Sequence, residues 1–368
     1  MTGPTRRLAP LALACSLAAA AEARVVPQTL ASDLEHPWAL AFIGDGRMLV
    51  TERPGRLRVI EADGRVGEPV QGLPQIDAGG QGGLLDIVAD RRFADNRTVY
   101  FCYSEPGEGG NSTALASARL SQDRARLEQV RVLFSQRPKV RGSHHFGCRI
   151  VEAADGTLFL TTGDRFNRMD DAQTLDNHLG KVVRVNKDGS VPKDNPFVQR
   201  AGALPEIWSY GHRNMQGATL GPDGRLWTHE HGPRGGDELN ITQPGRNYGW
   251  PLVSHGVHYS GQEVGRGKAG QAGVEAPVHH WTPSIAPSGM AFLDSDAYGQ
   301  EWRGNLFVGA LAGRHLVRLT VADGRVVAEE QLLKDFGRRI RDVRMGPDGL
   351  LYLLTDERRG QLVRLRPE

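Results

Sequence analysis

Six times along the chain a turn ending in glycine or asparagine leads into a short apolar run, which often closes on a polar or acidic residue. The runs lie at 45–52 (DGRMLVTE), 96–103 (NRTVYFCY), 155–161 (DGTLFLT), 223–228 (DGRLWT), 303–308 (RGNLFV) and 348–353 (DGLLYL). Asp-Gly before β-forming residues is a strong hairpin signal. Several copies are followed by a second apolar run, at 55–60 (GRLRVI), 180–185 (GKVVRV) and 360–365 (GQLVRL). Strand–turn–strand units repeating at about 45 residues or more indicate propeller blades. A lone blade cannot bury its faces, so the units must close into a ring. The pattern therefore predicts an all-β, six-bladed β-propeller spanning residues 24–368, with a pair of β-sandwiches as the alternative. Between the third, fourth and fifth copies the spacing swells, and the insertions are rich in Gly, Pro, His, Asn and Trp. Long loops on a rigid β scaffold usually carry function, so the chemistry is expected between roughly 140 and 260, on one face.

Composition agrees with many short strands. Glycine is 46 of 368 residues and proline 21, a load that disfavours a helical bundle. A net charge of +2 supplies no field for nucleic acid or an anionic membrane. Arg6 and Arg7 precede an apolar run to Ala21, and Ala21-Glu22-Ala23 has the A-x-A form. This reads as a secretory signal peptide cleaved near Ala23, giving a periplasmic or secreted protein. The alternative is a buried first helix. The run is too short to span a membrane, and no later run does so. A twin-arginine signal fits poorly because Ala9 and Pro10 follow the arginines, and a lipobox at 12–15 comes too early. The remaining cysteines, Cys102 and Cys148, are either a disulfide or two buried thiols.

Generic motifs fail. There is no GxxxxGK[ST] loop, HExxH pair or GxSxG elbow; Gly80-Gln81-Gly82 lacks its third glycine, and the calcium-loop start at Asp294 has Asn305 where a bidentate Glu belongs. The insertions hold more specific chemistry. His144 and His145 sit in a Gly-flanked loop (RGSHHFG), and Asp164 ends the following strand (TTGD). An imidazole backed by a carboxylate is a general-base arrangement. The segment 211–217 (GHRNMQG) places Arg213 and Asn214 between glycines, suited to an anionic or quinonoid ligand. The segment 230–240 (EHGPRGGDELN) mixes carboxylates with backbone carbonyls, the hard oxygen ligands that suit calcium.

Together these segments resemble the soluble, PQQ-dependent aldose sugar dehydrogenases, relatives of soluble quinoprotein glucose dehydrogenase. The motifs that carry the resemblance are 81–86 (QGGLLD), 145–147 (HFG), 206–214 (EIWSYGHRN), 230–240, 247–251 (NYGWP) and 339–344 (RIRDVR). It runs from His36-Pro37-Trp38 to the final blade. The resemblance implies a six-bladed propeller, with PQQ and Ca²⁺ as cofactors and an aldose as substrate. His145 would take the C1 hydroxyl proton while hydride moves to PQQ, giving a lactone. Asp164 would support His145, and Arg213 would stabilise charge on the quinone oxygen. Electrons would pass on to a further acceptor. Gln81, Arg213, Asn214, Tyr259, Arg339 and Arg341, with Ile340 between the last two, match cofactor positions. The carbonyls of Gly232 and Pro233 resemble ligands of the calcium that holds PQQ. Glu238 and the Tyr248 carbonyl resemble a second, structural calcium site. One departure stands out in the cofactor stretch Ala310-Leu311-Ala312, where Ala312 occupies the place of a family lysine. Arg314, two residues later, is expected to replace it in part, the alternative being a solvent-facing turn residue. Two rival functions remain: a calcium-dependent propeller lactonase, which leaves the Arg339/Arg341 pair unexplained, and a binding propeller without catalysis.

Overall fold

A computed structural model describes residues 25–265 and 267–368. The expected signal peptide and its cleavage point lie outside the described residues. Six four-stranded antiparallel sheets form the molecule. Their innermost strands are Pro37–Phe42, Leu84–Ala89, Gly147–Glu152, Met215–Leu220, Pro287–Phe292 and Ile340–Met345, which we number as blades 1 to 6. Each inner strand lies beside those of the neighbouring blades, which closes the ring. The six recurrent runs of the sequence each fall on the second strand of a different blade: Met48–Glu52, Thr98–Gly107, Leu158–Thr162, Leu226–Glu230, Leu306–Ala310 and Leu351–Thr355. The repeat is legible there because that strand is buried on both faces and so reads as a continuous apolar run.

Closure uses the two chain ends. Val25–Leu34 pairs antiparallel with Gly360–Pro367, from Val25 opposite Pro367 to Leu34 opposite Gly360, and becomes the outer strand of blade 6. The core lies between blades. Phe307 of blade 5 packs with Ile340, Val343, Leu353 and Leu365 of blade 6. Phe101 and Tyr103 of blade 2 pack with Leu49 of blade 1 and with Ile150 and Leu158 of blade 3. Cys102 and Cys148 form a disulfide between blades 2 and 3, settling the alternative left by the sequence. Among the described residues no helix is long and apolar enough to cross a membrane.

A quartet of charges crosses the propeller axis. Arg149 Nη1 lies 3.2 Å from Asp86 and 2.9 Å from Asp342, and Arg344 pairs with the same two carboxylates. Asp86 also accepts the Ile150 N–H, and Asp342 that of Leu40. Arg149 reaches the Gln216 and Arg341 carbonyls and lies 4.1 Å over the Trp38 ring. Those residues line a cavity of about 170 Å³ on one side of the ring, whereas Arg344 lines a funnel of about 740 Å³ on the other. The quartet lies between the two.

Candidate active site

His145 precedes the inner strand of blade 3, in left-handed backbone at φ 53°, and is 5% exposed. Its partner Asp164 follows the second strand of that blade. Gly163 makes their meeting geometrically feasible: a Cβ there would sit 2.1 Å from the His145 carbonyl oxygen, so only glycine fits. His145 Nδ1 lies 2.6 Å from Asp164 Oδ1. The same carboxylate accepts the Trp250 indole N–H at 2.7 Å and the Phe166 backbone N–H at 2.8 Å. With Nδ1 held by the carboxylate, Nε2 is the nitrogen left to accept a proton. Burial lowers the pKa of the ring, opposed by the Asp164 hydrogen bond, so His145 is neutral at physiological pH. His144 is exposed and makes no such pairing.

Two side chains lock this loop. Gln81 Oε1 accepts the His145 backbone N–H at 2.8 Å. Buried Arg165 donates to the carbonyls of His144, Asn111 and Gly142, with its guanidinium 4.0 Å over the Phe146 ring. Burial pulls that guanidinium down to about 10.

The 170 Å³ cavity is lined by five of the expected residues, Gln81, Asn214, Leu311, Arg339 and Arg341. Arg341 Nη1 donates to Gln216 at 2.9 Å and Nη2 to Asp356 at 3.1 Å, but its buried Nε has no partner. Arg339 donates to the Leu311 carbonyl at 3.2 Å and to Asp356 at 3.4 Å. Burial raises the Asp356 carboxyl, yet Arg341 and the His36 hydrogen bond more than offset this and keep it ionised. Asn214 Oδ1 accepts the Gly147 N–H at 3.2 Å.

Arg213 is buried beside this group. Its Nη1 donates to the carbonyls of His231 and Gly232, both at 2.9 Å, and its Nε is buried without a partner. The guanidinium lies 5.2 Å over the Trp250 ring, and Nη2 reaches the Tyr259 hydroxyl at 3.5 Å. Gly232 and Pro233 are buried in the adjoining turn. Glu238 stands opposite Glu230 across two strands. Both line a cavity of about 10 Å³, the size of one ion or water, together with Tyr248. Burial and the Glu230 charge push the Glu238 carboxyl well above its usual range. Among the described residues no group of three His, Cys, Asp or Glu is arranged to hold a metal, so an ion here would draw on carbonyl oxygens as well.

Not every expected cofactor residue reaches the cavity lining. Ala310 and Ile340 are fully buried between strands, and the Ile340 side chain joins the core between blades 5 and 6. Strand alternation explains this: Arg339 and Arg341 point one way, Ile340 the other. Ala312 and Arg314 are exposed on a tight turn, Arg314 at φ 54°.

Sequence reasoning missed Trp38, Arg53, Gln216, His231 and Asp356 on the cavity wall, and Trp250 behind the His145–Asp164 pair. Burial holds the His231 ring down at about 3, so it is a neutral group whose Nε2 faces the Pro287 carbonyl at 2.7 Å. Trp250 lies in the NYGWP motif, but nothing local signals a hydrogen bond to a carboxylate 86 positions away.

Known proteins resemble this chain in sequence and fold. A family model described as glucose/sorbosone dehydrogenase matches residues 34–364. The aldose sugar dehydrogenase YliI of Escherichia coli is 46% identical over 364 residues, with 98% of each chain covered. The apo-form crystal structure of the soluble E. coli aldose sugar dehydrogenase superposes with a TM-score of 0.90 at 45% identity, covering 94% of this chain and 100% of that one. The PQQ-bound form of an aldose sugar dehydrogenase from Streptomyces coelicolor gives a TM-score of 0.78 at 27% identity, covering 94% and 99%. The chain belongs to the glucose/sorbosone dehydrogenase family, as an aldose-sugar-dehydrogenase-type propeller.

Proposed function

We propose that this oxidoreductase oxidises aldoses at C1 to lactones with PQQ and calcium as cofactors. The observation that carries the reading is a buried, neutral His145 held by Asp164 beside a cavity walled by arginines. Buried guanidinium nitrogens without partners, Nε of Arg213 and of Arg341, call for an anionic ligand. PQQ carries three carboxylates, and Arg339, Arg341, Arg53, Gln81 and Asn214 would hold them by charge-assisted hydrogen bonds. Once bound, PQQ supplies the acceptor for the hydride that leaves C1. The protein's own part is proton transfer and charge placement. His145 Nε2 takes the C1 hydroxyl proton, and Asp164 holds Nδ1–H and stabilises the imidazolium that forms. Arg213, pinned over Trp250, presents fixed positive charge beside the base.

The Gly232 and Pro233 carbonyls would hold one calcium. The Glu238 carboxylate and Tyr248 carbonyl would hold a second, for which the ion-sized cavity between Glu230 and Glu238 is suited. The Cys102–Cys148 disulfide favours an oxidising compartment, in keeping with a periplasmic or secreted protein. The test is dye reduction by purified apoprotein with glucose, with and without PQQ and Ca²⁺. A rate that requires both supports the reading; lactone hydrolysis without PQQ and no dye reduction with any aldose refutes it.

A further inference from the structure

Phe166 stands out as the residue beside the base that the proposed reaction leaves unused. It is 43% exposed, and Tyr259 is 64% exposed; these are the two aromatic rings among the exposed large apolar side chains of the described residues. They lie together, with centroids 6.5 Å apart and planes 27° from parallel. The Phe166 ring also meets His145 at 5.2 Å and His144 at 5.5 Å. The backbone here is unusual as well. Arg165 at φ 59° and Phe166 at φ 66° are consecutive non-glycine residues in the left-handed region. Such residues cost conformational energy and persist where the surroundings enforce them. Two contacts enforce this turn: the Arg165 clamp and the Phe166 N–H bonded to Asp164 Oδ1 at 2.8 Å. The turn that fixes the carboxylate behind the base thus also holds an apolar ring out in water next to the base.

We infer that Phe166 is a specificity-determining residue, its ring forming the platform against which the C–H face of an aldopyranose lies while its C1 hydroxyl meets His145. The inference rests on the dehydrogenase reading. A pyranose offers polarised C–H bonds on one face and hydroxyls around its edge. An aromatic face carries negative quadrupole charge and attracts such C–H groups, and covering it removes apolar surface from water. The hydroxyl edge would then meet the polar groups around His145.

The decisive variant is Phe166→Gly, because glycine takes positive φ without strain and so deletes the ring while keeping the turn. With PQQ-loaded enzyme, KM for glucose should rise about 3- to 10-fold, the range of one aromatic contact. The rate constant kcat should stay within about twofold, and Phe166→Tyr should restore KM. PQQ titration of the apoprotein, followed by absorbance, should give the same affinity for wild type and Phe166→Gly. Saturation-transfer NMR of glucose on the apoprotein should weaken in the glycine variant. An unchanged KM, a fall in kcat at unchanged KM, or a loss of PQQ affinity by the same factor would each overturn the platform. Wild-type protein that oxidises no aldose with PQQ would instead overturn the dehydrogenase reading, and the platform with it.

Discussion

Two groups of arginines lie near the propeller axis, and they differ in what their side-chain nitrogens meet. In the quartet, Arg149 and Arg344 each face both Asp86 and Asp342, and the carboxylates take backbone N–H groups from blades 1 and 3. In the cavity, Arg339 and Arg341 share the single carboxylate of Asp356, and beside it the Arg213 guanidinium donates only to carbonyls and a phenol. Nε of Arg213 and of Arg341 is left over. Charge matched within the protein ties blades together; charge left in excess recruits a ligand. Mutation should therefore separate them, costing stability at the quartet and function at the cavity.

The largest effect is expected on the functional side. His145→Gln should lower kcat about 10²- to 10⁴-fold, the usual worth of a positioned base, with little change in melting temperature. His144→Gln is the control, and a greater loss there would move the base to His144. On the structural side, Arg149→Met leaves two buried carboxylates with one arginine. It should cost about 3–5 kcal/mol in urea unfolding. Retained stability with lost PQQ binding would erase the distinction between the two groups.

Glu230 and Glu238 are an intermediate case, two acids facing each other with an ion-sized space beside them. If calcium fills it, EDTA should lower the melting temperature, and readdition at 100 times Kd should restore about 2.7 kcal/mol. Glu238→Gln should reduce stability more than kcat, whereas a purely catalytic defect would place the ion elsewhere.

Trp250 connects the His145–Asp164 pair to Arg213 and should give a smaller change. Trp250→Phe keeps the ring under Arg213 but removes the donor to Asp164, and a tenfold loss of kcat, about 1.4 kcal/mol, is expected. The pH profile supplies the sign. Burial holds His145 below its ordinary pKa, so the acid limb of kcat/KM in the wild type lies below pH 6.5. Without the indole donor, Asp164 becomes a stronger partner for imidazolium, and the limb should move to higher pH. Smallest of all is Arg314→Ala at its exposed turn: PQQ affinity should change by less than about threefold. A tenfold loss would show that the side chain reaches inward to serve for the lysine that Ala312 replaces.

Much of the site was legible. His145, Asp164, Arg213 and Asn214 lie in motif-like stretches whose residue types suggest chemistry, and the family resemblance added Arg339 and Arg341. What could not be read was their support. Arg165 next to the Asp164 motif looks like a surface cation, yet it is buried and holds three carbonyls. Ile340 sits between two cavity arginines in sequence and faces the core.

The sequence by itself determined the six blades, because a doubly buried second strand repeats as the same apolar run after the same turn. It also placed a candidate base, His145, in a glycine-flanked loop and Asp164 after the next strand, where Gly163 lets the two meet. Only the tertiary structure decided that Val25–Leu34 closes the last blade, that the two cysteines pair, and which arginines are neutralised. Each of these depends on a partner far away along the chain. Whether a buried charge is satisfied or waiting for a ligand is a property of the assembled ring, where blades distant in sequence meet at one axis.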